Sequence, residues 1–268
     1  NRISVRGFSM GGAGCWQFAV LYSDRWFAAN PGAGFSETPE FLKFFQKEKL
    51  APYWWEKKLW RWYDADDSAI NLFHAPTVAY SGEKDIQKQA ADVMESALAK
   101  EGISMVHIIG PDSGHRIHAD SQKVIERTMA SLAKTGNEIV PTTVHKVTYS
   151  LKYNRQYWIT IDALTEHWEA ARIDARIVGS SSFEITSKGT TGLSFRMDSG
   201  VCPFDITRPV QLTINGEKIK LPAPQSDRSW KASVHLAKSK WVAGKKSVSG
   251  LVKKHGLQGP IDDAFMGS

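Results

Sequence analysis

Ile3-Ser4-Val5-Arg6-Gly7-Phe8-Ser9-Met10-Gly11-Gly12-Ala13-Gly14-Cys15-Trp16 changes its period partway through. Residues 3–6 alternate apolar and polar side chains, as a short strand does. From Gly12 the spacing becomes helical, with Cys15, Trp16, Ala19 and Val20 on one face through residue 22. Between the two lies Gly7-Phe8-Ser9-Met10-Gly11, a G-x-S-x-G match. A strand feeding directly into a helix needs a tight turn. Small residues flanking the serine let the backbone make it, and the serine oxygen is left exposed at the tip. The helix start behind Ser9 also favours negative charge developing there. The match alone recurs by chance; the strand before it and the helix after it make it informative.

A serine hydroxyl is a weak nucleophile until a base takes its proton, and the base needs an acid to orient it. Two downstream loops qualify. Residues 75–80 read as a strand, followed by Ser81-Gly82-Glu83-Lys84-Asp85. Residues 104–109 read as another strand, followed shortly by Gly114-His115. Ser9, Asp85 and His115 therefore occur in the order nucleophile, acid, base, each after a strand, at separations of 76 and then 30 positions. Glu83 competes with Asp85 as the acid, and Asp112 lies too near His115 in sequence to be the usual partner. His115 and His118 have a metal-pair spacing but no clear third ligand, and His118 reads as an ordinary polar residue. His74 and His107 read as structural. One oxyanion donor is expected from the Met10 N–H; the other would come from a loop after an earlier strand. The chemistry needs no metal and no organic cofactor.

Helices are expected at residues 89–101, where Ala90, Val93, Met94, Ala97 and Leu98 share a face, and at residues 119–134. Strands alternating with helices imply a parallel sheet covered on both faces, an α/β architecture. Tyr53, Trp54, Trp55, Trp60, Trp62 and Tyr63 interrupt the alternation. They read either as a helical insert packing on the body or as an aromatic wall beside the active site, which makes Trp54, Trp55 and Tyr63 candidate substrate contacts.

The period falls to two after Val144. Tyr157, Ile159 and Ile161 alternate, as do Ile173, Ala175 and Ile177, then Phe183 and Ile185. Val210, Leu212 and Ile214 run into Asn215-Gly216, a hairpin signal, and then Ile219 and Leu221. Short strands with regular turns suggest an all-β sandwich-like domain. Charge changes at the same place: residues 1–140 carry 16 Lys+Arg against 17 Asp+Glu, and residues 141–268 carry 18 against 11. The expected division is thus 1–140, an α/β catalytic part, and 141–268, a β-rich accessory domain cut short at its end. The lysines between Lys231 and Lys254 read as guards on strand edges, with binding of an anionic surface or polymer as the alternative. No nucleic-acid motif surrounds them.

No run of 18 apolar residues occurs, so nothing here reads as a transmembrane segment. Cys15 and Cys202 read as free buried thiols. The chain starts at Asn1 without an initiator Met and reads as a piece of a longer protein. The sequence fixes neither compartment nor oligomeric state, and export to the periplasm or beyond stays open. The tail holds Leu257, Ile261 and Phe265 among Gly256, Gly259 and Pro260. It is expected to pack on its own domain or across a seam between domains.

The elbow, the Ser81–Asp85 loop and Gly114-His115 together resemble the catalytic domain of the prolyl oligopeptidase family, within the α/β-hydrolase superfamily. The resemblance covers roughly residues 1–134, the later half of such a domain. Pro31-Gly32-Ala33-Gly34, Trp60-Arg61-Trp62-Tyr63, Ala79-Tyr80-Ser81-Gly82-Glu83-Lys84-Asp85 and the segment from His255 to Phe265 are similar to a bacterial subgroup of large proteins in which a β-rich region follows this core. The resemblance implies a serine peptidase, EC 3.4, acting on a peptide. The alternatives are an esterase of carbohydrate or plant-derived esters, and a binding protein whose hydrolase core is a relic.

Overall fold

A computed structural model describes residues 2–245, 252, 253, 255 and 256. The chain divides into two compact units, Asn1–Asn137 and Glu138–Ser268.

In the first unit, β1 (Val5–Phe8), β2 (Ala29–Gly32), β3 (Val78–Gly82) and β4 (Val106–Gly110) form one sheet in that order, parallel throughout. Helices α1 (Met10–Leu21), α2 (Thr38–Phe44), α3 (Trp54–Trp60), α4 (Lys88–Lys100) and α5 (Ala119–Thr135) complete it. Two separate apolar clusters show that both faces are covered. Trp16, Ala19 and Val20 of α1 pack with Ala29, Ala79 and with Met94 and Leu98 of α4. Val78 and Tyr80 instead pack with Ile125 and Met129 of α5. A parallel sheet clad on both faces is the α/β arrangement expected of an α/β-hydrolase core.

In the first unit, one strand and one α-helix were absent from the sequence-based expectation. Ala29-Asn30-Pro31-Gly32 forms β2, although Asn, Pro and Gly are poor strand formers. All four residues are buried, so tertiary packing overrides propensity. The close fit of α1 against β2 explains the small residues: a Cβ on Gly12 would lie 2.1 Å from Gly32 O, and one on Gly34 would lie 2.2 Å from Ala13 N and from Ser9 O. Helix α2 was also missed. Its N-terminus is capped by Glu37, which accepts from Glu40 N at 2.8 Å, with Pro39 in the first turn. The expected strands at 3–6, 75–80 and 104–109 each move one to three residues toward the carboxyl end.

In the second unit, β5 (Thr143–Thr148), β8 (Ala171–Gly179), β9 (Ser182–Lys188), β11 (Val210–Ile214) and β12 (Glu217–Leu221) make one five-stranded sheet. Strands β6 (Arg155–Gln156), β7 (Ile159–Leu164), β10 (Thr190–Met197), β13 (Trp230–Ala237) and β14 (Lys240–Ala243) make another. Both contribute to a single core: Ile173, Phe183, Leu212 and Leu221 from the first, Ile159, Leu193, Phe195, Trp230 and Trp241 from the second. This is a sandwich. At its centre Phe195 and Trp230 stack at 5.8 Å, and Phe183 meets both edge-on. Asn215 and Gly216 join β11 to β12 with φ of 49° and 86°, the positive pair that the hairpin turn requires. One pairing, β9 with β11, is parallel.

Cys15 and Cys202 are free and buried. Burial pushes the Cys15 thiol up to about 12, so it stays protonated. No helix among the described residues is long and apolar enough to cross a membrane. Leu257, Ile261 and Phe265 lie outside the described residues.

Candidate active site

Ser9 stands between β1 and α1 with φ 58° and ψ −121°, a conformation costly for a residue with a Cβ. The surroundings enforce it. Ser9 N donates to Gly32 O at 2.8 Å, and Ser9 O accepts from Ala13 N at 3.1 Å. A Cβ on Gly7 would sit 1.9 Å from Gly11 O, so position 7 must be glycine for the turn to close. A Cβ on Gly11 would meet nothing, and so the second glycine of the motif is not sterically required by its own environment. The crowding falls on Gly7, Gly12 and Gly34 instead.

Ser9 Oγ lies 2.8 Å from His115 Nε2, and His115 Nδ1 lies 2.8 Å from Asp85 Oδ2. A carboxylate oxygen accepts the Nδ1 proton, which leaves Nε2 to accept from the serine hydroxyl. Asp85 Oδ1 accepts from Gln87 N at 2.9 Å, and the Asp85 side chain is 2% exposed. The Asp85 carboxylate is thus fixed from both oxygens and shielded from water, whereas the His115 side chain is 45% exposed. The Phe8 ring lies 4.9 Å from the imidazole.

The neighbouring carboxylates have other work. Glu83 accepts from Asp112 N at 2.7 Å, and Asp112 pairs with Lys84. Together with Lys84 N donating to Ser113 O at 2.9 Å, these contacts tie the loop bearing Asp85 to the loop bearing His115. Gly82 permits the approach, since a Cβ there would lie 2.2 Å from Gly114 O.

Tyr80 was not singled out by its own chemistry in the sequence. It is buried on β3, and its hydroxyl donates to Arg116 O and accepts from His118 N, both at 2.8 Å. One phenol therefore grips the chain on the carboxyl side of His115. Gly110 makes room for it: a Cβ there would stand 2.3 Å from the Tyr80 oxygen. Among sequence signals, an aromatic residue with a polar tip inside an otherwise apolar strand was the one that could have found it. His118 is the N-cap residue of α5, and its buried Nδ1 lacks a hydrogen-bond partner among the described residues.

Met10 begins α1 with a side chain 89% exposed. The first N–H groups of a helix have no intrahelical acceptor, so the Met10 N–H is available to an anion beside Ser9. The aromatic insert is more open than a packed insert would be. Tyr53, Trp54, Trp55 and Tyr63 are all exposed. Tyr53 stacks on Trp55 at 5.7 Å, and the Lys58 ammonium lies 6.0 Å from the Trp54 ring. Tyr63 is linked to α1 through its carbonyl, which accepts from Gln17 Nε2. No hydrogen bond, ion pair or ring contact among the described residues links Trp54 or Trp55 to Ser9 or His115.

No family model matches this chain, and no curated protein sequence matches it. Among solved structures it is similar to an S-formylglutathione hydrolase from Staphylococcus aureus, with 15% identity over 48% of this chain and 54% of that one, TM-score 0.35. It is also similar to a puromycin-hydrolyzing peptidase from Mycobacterium tuberculosis, with 18% identity over 49% of this chain and 22% of that one, TM-score 0.40. A third is dipeptidyl peptidase 4 from Porphyromonas gingivalis, with 19% identity over 51% and 20%, TM-score 0.38. The chain spans about half the length of the first and about a fifth of the other two.

Proposed function

We propose that this chain carries the catalytic triad of a serine hydrolase, with Ser9 as nucleophile, His115 as general base and acid, and Asp85 as the group that orients the imidazole. The continuous chain from Ser9 Oγ through His115 to Asp85, with both links at 2.8 Å, is the observation that carries this reading. As Ser9 Oγ bonds to a substrate carbonyl carbon, its proton passes to His115 Nε2. The Met10 N–H donates to the oxygen that gains negative charge. His115 then gives the proton to the leaving group as the acyl bond breaks. Water, deprotonated by the same nitrogen, releases the acid and restores Ser9.

The bond we assign is a peptide bond, in a serine peptidase similar to the prolyl oligopeptidases. Support comes from the elbow, the acid loop and the histidine turn together with their order and spacing. An ester is the nearest rival substrate, because the same machinery cleaves both. The test is hydrolysis of a panel of activated esters and of peptides by the intact protein and by Ser9→Ala. Peptide turnover lost in the variant is the expected result. Ester turnover without peptide turnover would move the assignment to an esterase, and turnover unchanged by Ser9→Ala would remove the triad reading altogether.

A further inference from the structure

Asp92 and Glu95, nearly one turn apart on α4, face His107 on β4. One ligand atom from each lies within 4.8 Å of the other two. The His107 side chain is only 8% exposed, and its Nε2 lies 3.0 Å from the Oγ of Ser81, which is fully buried. That contact fixes the ring and turns Nδ1 toward the two carboxylates, 3.7 Å from Asp92 Oδ1 and 3.9 Å from Glu95 Oε2. These separations are too long for hydrogen bonds. They are close to the spacing of about 3.3 Å that donors adopt around a tetrahedral ion with bonds of about 2.0–2.1 Å.

We propose that Asp92, Glu95 and His107 form a binding site for a divalent transition metal, with zinc as the ion that best suits one imidazole and two carboxylates. Completing the set takes movement of two exposed carboxylates, whose ligand atoms lie within 4.8 Å of each other and of Nδ1, while the imidazole is already held. Metal-ligating histidines are commonly oriented by a hydrogen bond at the far nitrogen, and Ser81 Oγ takes that place for His107. The imidazole favours zinc over magnesium or calcium, which prefer all-oxygen sets. Water would take the fourth position. Lys88 is the natural competitor: its ammonium lies 2.8 Å from both oxygens of Asp92. It sits on a flexible, partly exposed stem and gives way when the ion binds. The site shares no residue with Ser9, Asp85 or His115, and it does not depend on the hydrolase reading.

Calorimetric titration of the chelator-treated intact protein with zinc chloride tests it. The expected result is one saturable site per chain, weakened at least about 100-fold in the Asp92→Asn/Glu95→Gln double variant. Lys88→Met should bind several-fold more tightly, because Asp92 is freed. Both positions are on the surface of α4, and an unchanged circular dichroism spectrum checks that the variants fold. No saturable uptake up to about 1 mM zinc would overturn the proposal. So would undiminished uptake in the double variant, or weaker uptake in Lys88→Met.

Discussion

Each unit of this chain contains a histidine–aspartate pair hydrogen-bonded through Nδ1, and the two differ in their surroundings. His115 and Asp85 stand 2.8 Å apart, His145 and Asp174 2.6 Å apart. The first pair joins loops at the ends of parallel strands, its acid is buried, and the second imidazole nitrogen reaches Ser9. The second pair is a cross-strand neighbour on β5 and β8, partly exposed, and Arg172 donates to both oxygens of Asp174. A histidine beside a carboxylate is therefore not a diagnosis. What distinguishes the first pair is the strained elbow that brings a hydroxyl to it, and the backbone ties that lock two loops together around it.

The sharpest way to break this contrast is to remove each histidine in turn. His115→Ala should lower kcat by on the order of a thousandfold or more. Hydrolysis of an activated ester measures it, and a loss of less than tenfold would put the two pairs on one footing. Next in size is Tyr80→Phe, which keeps the packing but removes the hydroxyl that grips Arg116 O and His118 N. We expect kcat to fall about 10- to 100-fold with KM little changed, since the imidazole loses its aim rather than the substrate its pocket. A change confined to thermal stability would make Tyr80 a packing residue only. His145→Gln should leave kcat unaltered and cost about 1 kcal/mol or less in stability by denaturant titration, as partly exposed pairs do.

Proton linkage separates the units in the same way. Burial pushes Glu37 and Asp64 in the first unit up to about 7, with neighbouring acids adding to the effect, and Asp67 up to about 6. A carboxyl whose folded pKa is raised holds its proton more tightly when folded. Its stabilising contribution is complete below the unfolded pKa near 4 and is lost as pH rises through about 7. For Asp174, burial pushes upward, but hydrogen bonds from His145 and Arg172 and their charge outweigh it and hold the carboxyl below its usual range. Its contribution is present above the unfolded pKa and is lost as pH falls. The melting temperature of the first unit should thus drop by a few degrees between pH 5 and pH 7.5, while the second holds steady across that window. Glu37→Gln should flatten the slope in the first unit, and an unchanged slope would contradict the assignment.

How much of this could be read in advance varies with how local the cause is. The elbow was legible because strand, serine and helix are contiguous, and the Asn215-Gly216 hairpin because a two-residue turn dictates its own φ values. The alternation of Phe183, Ile185, Leu212 and Ile214 matched burial because each faces one core. Strand β2 was not legible: Ala29-Asn30-Pro31-Gly32 is a strand because it pairs with β1 and β3 and packs against α1, all contacts with residues distant in sequence. The grip of Tyr80 on residues 116 and 118, and the meeting of Asp92 and Glu95 with His107, depend on neighbouring parallel strands and a helix whose register no single segment encodes. The aromatic segment from Tyr53 to Tyr63 was legible as a helical insert, but its exposure was not, because aromatic content alone does not say which side faces the body.

The central claim is that Ser9 is an activated nucleophile. Treating the intact protein with a fluorophosphonate, digesting it and locating the adduct by mass spectrometry tests this with no assumption about substrate. The account predicts a stoichiometric adduct on Ser9 that forms rapidly, slows sharply in His115→Ala and disappears in Ser9→Ala. No adduct, or one on a different serine that persists in Ser9→Ala, would contradict it.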